Sequence, residues 1–143
     1  KKKHVFDDDI AVLVDDQLAA EGERIVFKRL RVVCGTDGPQ TAEIDLTIEG
    51  DEKYAIARGN GPVDAVFNAI RQIVPHDAKL DLYQVHAVTG GTDAQATVSV
   101  RLNGEGIMAT GRSSDPDTLV ASAKAYLHAV NKLEARKAKR KAA

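Results

Sequence analysis

Hydrophobic and polar residues along this chain first alternate and then fall into a three-four spacing, and that change of period happens twice. RIVFKRLRVVC, residues 24–34, is rich in β-branched residues and alternates from Val26, which predicts a strand. CGTDGP predicts a turn, and TAEIDLTIEG puts Ala42, Ile44, Leu46 and Ile48 on one face of a second strand. GDEK predicts a second turn and YAIARG a third strand. From Pro62 the spacing becomes helical, with Val63, Val66, Phe67, Ile70, Ile73 and Val74 on one stripe.

The same order returns. Residues 80–89 (LDLYQVHAVT) predict a strand, GGTDA a turn, and QATVSVRLNG a strand with Ala96, Val98, Val100 and Leu102 on one face. GIMATGR predicts a third strand, and Leu119, Val120, Ala123, Tyr126, Leu127, Val130 and Leu133 mark a closing helix. An offset of 54 residues superimposes the halves from 42 to 74 and pairs Ala42 with Ala96, Gly50 with Gly104, Ala55 with Ala109, Arg58 with Arg112, Pro62 with Pro116, Val66 with Val120 and Ala69 with Ala123. Such self-similarity argues for duplication. The GTD triplets of the first turns fit less well, lying 56 apart. The expected fold is therefore α+β, two tandem βββα units with each three-stranded antiparallel sheet covered by a helix. The units are placed at about 24–77 and 78–136 within a domain of 24–143, with a basic end at 132–143. DDDIAVLVDDQLAA, residues 7–20, predicts a short helix with an acidic first turn, inside an N-terminal helix and linker of 1–23.

Composition narrows the function. The chain has 143 residues, 43% hydrophobic and 29% charged, a balance suited to one globular domain. Aromatics are only 4%, so the core is aliphatic rather than an aromatic cage. Cys34 is the only cysteine, which excludes an internal disulfide. No apolar run approaches a membrane span, and KKKHVFDDD lacks the apolar stretch of a signal peptide, so a cytoplasmic location is expected. The net charge of −1 offers nucleic acid no general attraction. KLEARKAKRK, residues 132–141, reads as the frayed continuation of the last helix, its cations favoured at the negative end of the helix dipole.

Differences between the halves single out candidate chemistry. The second helix opens Ser114-Asp115-Pro116, an Asp cap followed by proline. The first opens Asn60-Gly61-Pro62, with glycine where a cap belongs, leaving the N–H groups from Val63 onward to an outside anion. Asp64 has two readings: it supplies part of a cap itself, or it meets the ammonium group of an amino-acid ligand. A plainer reading is that Gly59 and Gly61 permit positive φ in a tight turn. A dinucleotide fingerprint is excluded, because Asp64 stands where the third glycine is needed and would repel a pyrophosphate. His4, His76, His86 and His128 show no metal-ligand spacing, and His86 reads as a sheet histidine. Ser113 and Ser114 sit in a capping turn, and Asp7, Asp8 and Asp9 read as helix-start charges. No nucleophile, base and orienter can be assembled, so no catalysis is expected of this chain.

GNGPVDA, YQVHAVTGGTDAQATVSV and ASAKAYLHAVNKL together resemble the C-terminal regulatory domain of the α-isopropylmalate synthase family, over nearly the whole chain. The resemblance implies an allosteric feedback domain built of two βββα units that forms a homodimer. It implies L-leucine bound near the pairing interface, inhibiting condensation of acetyl-CoA with 2-oxoisovalerate in a separate TIM barrel. That barrel would carry the divalent metal, with no cofactor in this chain. Carried over by motif, the leucine site would comprise Gly59, Asn60, Gly61, Pro62, Val63 and Asp64, with Leu80, Tyr83, Ala87, Ala94 and Thr118. Small side chains at Ala87 and Ala94 would leave room for a branched aliphatic group, and Asp64 would have to turn toward the amine. Alternatives are the isoleucine-responsive domain of a citramalate synthase, which shares the domain type, and a dimerisation module without an effector. Neither nucleic acid nor membrane is expected as a partner.

Overall fold

A computed structural model describes residues 23–88 and 94–142, the side chains of Ala87 and Val88 excepted. The helix expected over 7–20 lies outside the described residues. The first unit runs β1 (Ile25–Val33), β2 (Gln40–Ile48), β3 (Asp51–Gly59) and α1 (Pro62–Ile73); the second runs β4 (Lys79–Val88), β5 (Gln95–Gly104), β6 (Ile107–Asp115) and α2 (Thr118–Ala142). Each unit forms one antiparallel three-stranded sheet in chain order, so the expected tandem βββα architecture is what the chain adopts.

Alternation decides which sheet face is covered. Ala42, Ile44 and Leu46 of β2 and Val98, Val100 and Leu102 of β5 are fully buried, beneath Ala65, Val66, Ala69 and Ile70 of α1 and Ala121, Ala125 and Ala129 of α2. Helix α1 packs across β3 and β2, and α2 across β6 and β5; α2 also meets α1 and β1. On the opposite face of the first sheet, Arg29 pairs with Asp45 at 2.7 Å and Arg31 with Glu43 at 2.9 Å. The Tyr54 hydroxyl and then Arg31 hold the Glu43 carboxyl below its usual range. Exposed pairs of this kind add little to stability.

The register revises the repeat. The β2–β3 and β5–β6 hairpins each turn on a Glu-Gly pair with positive φ at both residues: Glu49 (51°) and Gly50 (88°), then Glu105 (55°) and Gly106 (77°). A two-residue turn with that geometry matches the twist of the flanking strands. The turn expected at GDEK is therefore one residue pair earlier, and β3 already begins at Asp51. Gly106, not Gly104, is the counterpart of Gly50. Aligned on these turns, the halves lie 56 residues apart, the spacing of the GTD triplets, rather than 54. The first strands correspond at a different offset, 53, through their bulges at Lys28 and Asp81, so Leu80 takes the place of Phe27 and Tyr83 that of Leu30.

The second helix start is also revised. Strand β6 continues to Asp115, and the cap of α2 is Asp117, whose Oδ1 accepts from Leu119 N at 2.8 Å. Asp115 instead accepts from Asp117 N at 2.9 Å, and Pro116 lies outside the helix. The units are tied by Asn131 of α2, whose Oδ1 accepts from Arg24 N (3.2 Å) and Ile25 N (3.1 Å) and whose Nδ2 donates to Ile25 O (2.9 Å).

The basic end has a structural task. The helix runs without a break to Ala142. At four-residue spacing, His128 accepts from Arg112 N (3.0 Å), Lys132 donates to Thr110 O (2.8 Å), Arg136 to Met108 O and Arg140 to Glu105 O (2.7 Å). These side chains cover the free edge of β6, which would otherwise present unpaired backbone groups to another strand.

Candidate functional site

The start of α1 is the feature the sequence marks, and its two glycines serve different ends. Neither has positive φ; among the described residues only the two hairpin pairs do. A Cβ on Gly59 would come within 2.3 Å of Ala65 N, so glycine there lets the helix begin against the strand end. Gly61 is the cap residue, with extended backbone (φ −159°, ψ 174°) that any residue can adopt, and a Cβ on it would meet nothing within 4 Å. Neither backbone nor packing within the chain demands glycine at 61.

No side chain caps α1; Pro62 occupies its first turn, and the first helical bond runs from Ala65 N to Gly61 O at 3.0 Å. The N–H groups of Val63 and Asp64 thus lie at a helix start lacking the side-chain oxygen that Asp117 gives α2. Asp64 folds back: its Oδ2 accepts from Asn60 N at 2.8 Å and lies 3.5 Å from Asn68 Nδ2. Asn68 donates to Arg58 O at 2.9 Å, holding the strand end to the helix. Asp64 thus braces the turn through the N–H of the residue before Gly61 and caps none of the helix's own N–H groups.

Tyr83 projects from β4 toward both helices. Its ring meets Phe67 of α1 edge-on at 5.8 Å, and Phe67 stacks on Tyr126 of α2 at 4.4 Å. Ser122 Oγ donates to Thr118 O (2.8 Å), so its one proton is used and the Tyr83 hydroxyl donates to it at 2.7 Å. One chain of contacts thereby joins α1, Tyr83 and the first turn of α2 through Phe67 and Ser122. Sequence reasoning missed these two linking residues: Phe67 counted only as core, and a serine inside a helix gave no signal.

The other candidates are less gathered. Leu80 shares the core-side face of β4 with Tyr83 and Val85, yet Leu80 is 41% and Val85 46% exposed. The equivalent positions on β1 (Phe27, Leu30 and Val32) are partly buried against the core. Ala87 stands opposite Ala96 in the β4–β5 ladder, and Ala94 is exposed just before β5. Within one chain Leu80 and Val85 thus leave an open apolar shelf on β4 rather than part of a closed slot. His86 is exposed on the opposite face of β4. His76 instead closes the aromatic cluster, its Nε2 2.7 Å from the Tyr126 hydroxyl. Burial first, then Arg71 and Lys137, depress its pKa below the usual 6.5, and burial raises that of Tyr126.

The family model for the LeuA allosteric (dimerisation) domain matches residues 4–134. The chain belongs to that family. The 2-isopropylmalate synthase of Caulobacter sp. (strain K31) is 66% identical over 139 residues, which is 97% of this chain and 26% of that protein. Those of Nitrobacter hamburgensis (59% over 133 residues) and Rhodopseudomonas palustris strain HaA2 (59% over 137) cover 93% and 96% of this chain, and again 26% of each relative. The chain thus spans about a quarter of the length of these relatives. Among the described residues of this LeuA-type domain, no helix is long and apolar enough to cross a membrane.

Proposed function

We propose that the chain is the feedback-regulatory and dimerisation portion of a 2-isopropylmalate synthase, that it binds L-leucine at the start of α1, and that it catalyses nothing itself. The observation that carries this reading is Gly61: an uncapped helix start, with open space where a side chain would sit, in a member of an allosteric domain family. The leucine carboxylate takes the N–H groups of Val63 and Asp64, where the helix dipole favours an anion. The ammonium group lies toward the outer oxygen of Asp64, whose other oxygen already fixes the turn. The isobutyl group lies along Leu80 and Tyr83.

A second copy of the chain covers the half-exposed Leu80 and Val85 and turns the shelf into a pocket, which is why effector binding and pairing belong together. Leucine then controls a catalytic barrel, with its divalent metal, in the longer protein. Control requires leucine to favour one arrangement of the pair; a coupling of about 1–3 kcal/mol changes an affinity some five- to 150-fold. A thermal scan tests the ligand directly, because binding to the folded state alone raises the unfolding midpoint. Millimolar L-leucine is expected to raise it. A rise with L-isoleucine and none with L-leucine would instead assign the domain to a citramalate synthase, and no rise with either would leave a dimerisation module.

A further inference from the structure

A short joint, VPHDA from Val74 to Ala78, links α1 of the first unit to β4 of the second. His76 lies in the middle of this joint, its Nε2 2.7 Å from the Tyr126 hydroxyl of α2. The same hydroxyl lies against the guanidinium of Arg71, from the last turn of α1. Arg71 in turn donates to Asn68 Oδ1, and Asn68 Nδ2 donates to Arg58 O at 2.9 Å while lying 3.5 Å from Asp64 Oδ2. Asp64 accepts from Asn60 N at 2.8 Å. Asp64, Asn68 and Arg71 follow four- and three-residue spacing and so line one face of α1. A polar line thus runs from the joint between the units to the turn that precedes α1.

The direction of its hydrogen bonds depends on one proton. A guanidinium can only donate, so the Tyr126 oxygen accepts from Arg71 and its hydroxyl proton goes to His76 Nε2. That requires a neutral ring with its proton on Nδ1, which is buried and makes no hydrogen bond of ordinary geometry among the described residues. The charged groups facing the ring are Arg71 from α1, Lys137 from α2 and Asp77 from the joint itself. Burial and the two cations oppose a second proton, and the Ala78 backbone and Asp77 offset them only in part. On a charged ring Nε2 becomes a donor, so the Tyr126 hydroxyl loses its acceptor and Arg71 faces a like charge. The line then breaks at Arg71, and Asn68 loses the donor on its Oδ1.

We propose that His76 is a positioning residue: its neutral ring, acting through Tyr126, Arg71 and Asn68, holds the Arg58–Asn60 turn at the start of α1, and its protonation releases that turn. The turn carries the candidate carboxylate site, but the inference concerns the turn itself and holds whatever its ligand.

An NMR titration of the full chain from pH 7.5 down to the onset of acid unfolding tests it. The backbone amides of Gly59 and Asn60 are expected to show a shift step with the same midpoint as the His76 ring. His76→Gln should remove that step. Asn68→Ala should remove it while the ring still titrates, and Arg71→Met cuts the line at the next link should Asn68→Ala fail to fold. A histidine that only fills space in the joint would leave these amides without the step. Three results overturn the proposal: no step in the parent, a step that survives His76→Gln or the cut line, or a ring that stays neutral until the chain unfolds.

Discussion

Gly61 and His76 show how much of this molecule is decided one residue at a time. At Gly61 the extended backbone and the open space around it admit an aspartate, whose carboxylate would bond the N–H groups at the start of α1 as Asp117 does in α2. Gly61→Asp is expected to leave stability within about 0.5 kcal/mol of the parent, or slightly above it, by urea unfolding. It should also abolish the leucine-induced rise in midpoint; if the rise persisted, the helix start would not be the carboxylate site. His76 makes a prediction in pH. Its pKa is depressed in the fold, so the unfolded chain takes up a proton near pH 6.5 while the folded one stays neutral. The stability His76 contributes is complete above that pH and is lost as pH falls from 6.5 toward the folded pKa. Urea midpoints at pH 7.5 and 5.5 should therefore differ less in His76→Gln than in the parent.

Strands and helices were legible from period alone, since alternation and three-four spacing report directly which face is buried. Element joints were less so. The 54-residue offset rested on coincidences such as Gly50 with Gly104, but a two-residue hairpin needs positive φ at both turn positions, and the Glu-Gly pairs supply it. Asp115-Pro116 had the composition of a helix start, yet β6 keeps its ladder through Asp115 and leaves the cap to Asp117. The basic end of α2 could not be read as edge protection, because its partners are backbone groups of β6, which the sequence of the helix does not show. Gly111 belongs to the same scale. A Cβ there would come within 2.0 Å of Ala125 O and 2.4 Å of Ala129 N, both backbone atoms that no rotamer change can move. Gly111→Ala should force α2 off β6 and cost about 3 kcal/mol or more, read as a lower urea midpoint. Survival of the parental midpoint would mean that the helix does not lie so close.

The whole molecule is two duplicated units that have diverged where function is proposed. Unit one's first strand is covered by helices, whereas β4 keeps Leu80 and Val85 half exposed; unit two's helix carries its own cap, whereas α1 does not. Phe67 of α1 and Tyr83 of β4 are in contact between the two units. The uncapped start was visible in the sequence because proline and glycine declare it. That Tyr83 is tethered to Ser122 was not, since the bond joins residues far apart in the chain. Titration calorimetry of L-leucine into the paired, folded protein, with Gly61→Asp as control, tests the central claim most directly. A saturable heat from leucine that disappears in the variant is the predicted result; no heat from any branched-chain amino acid, in protein shown to be folded and dimeric, would contradict it.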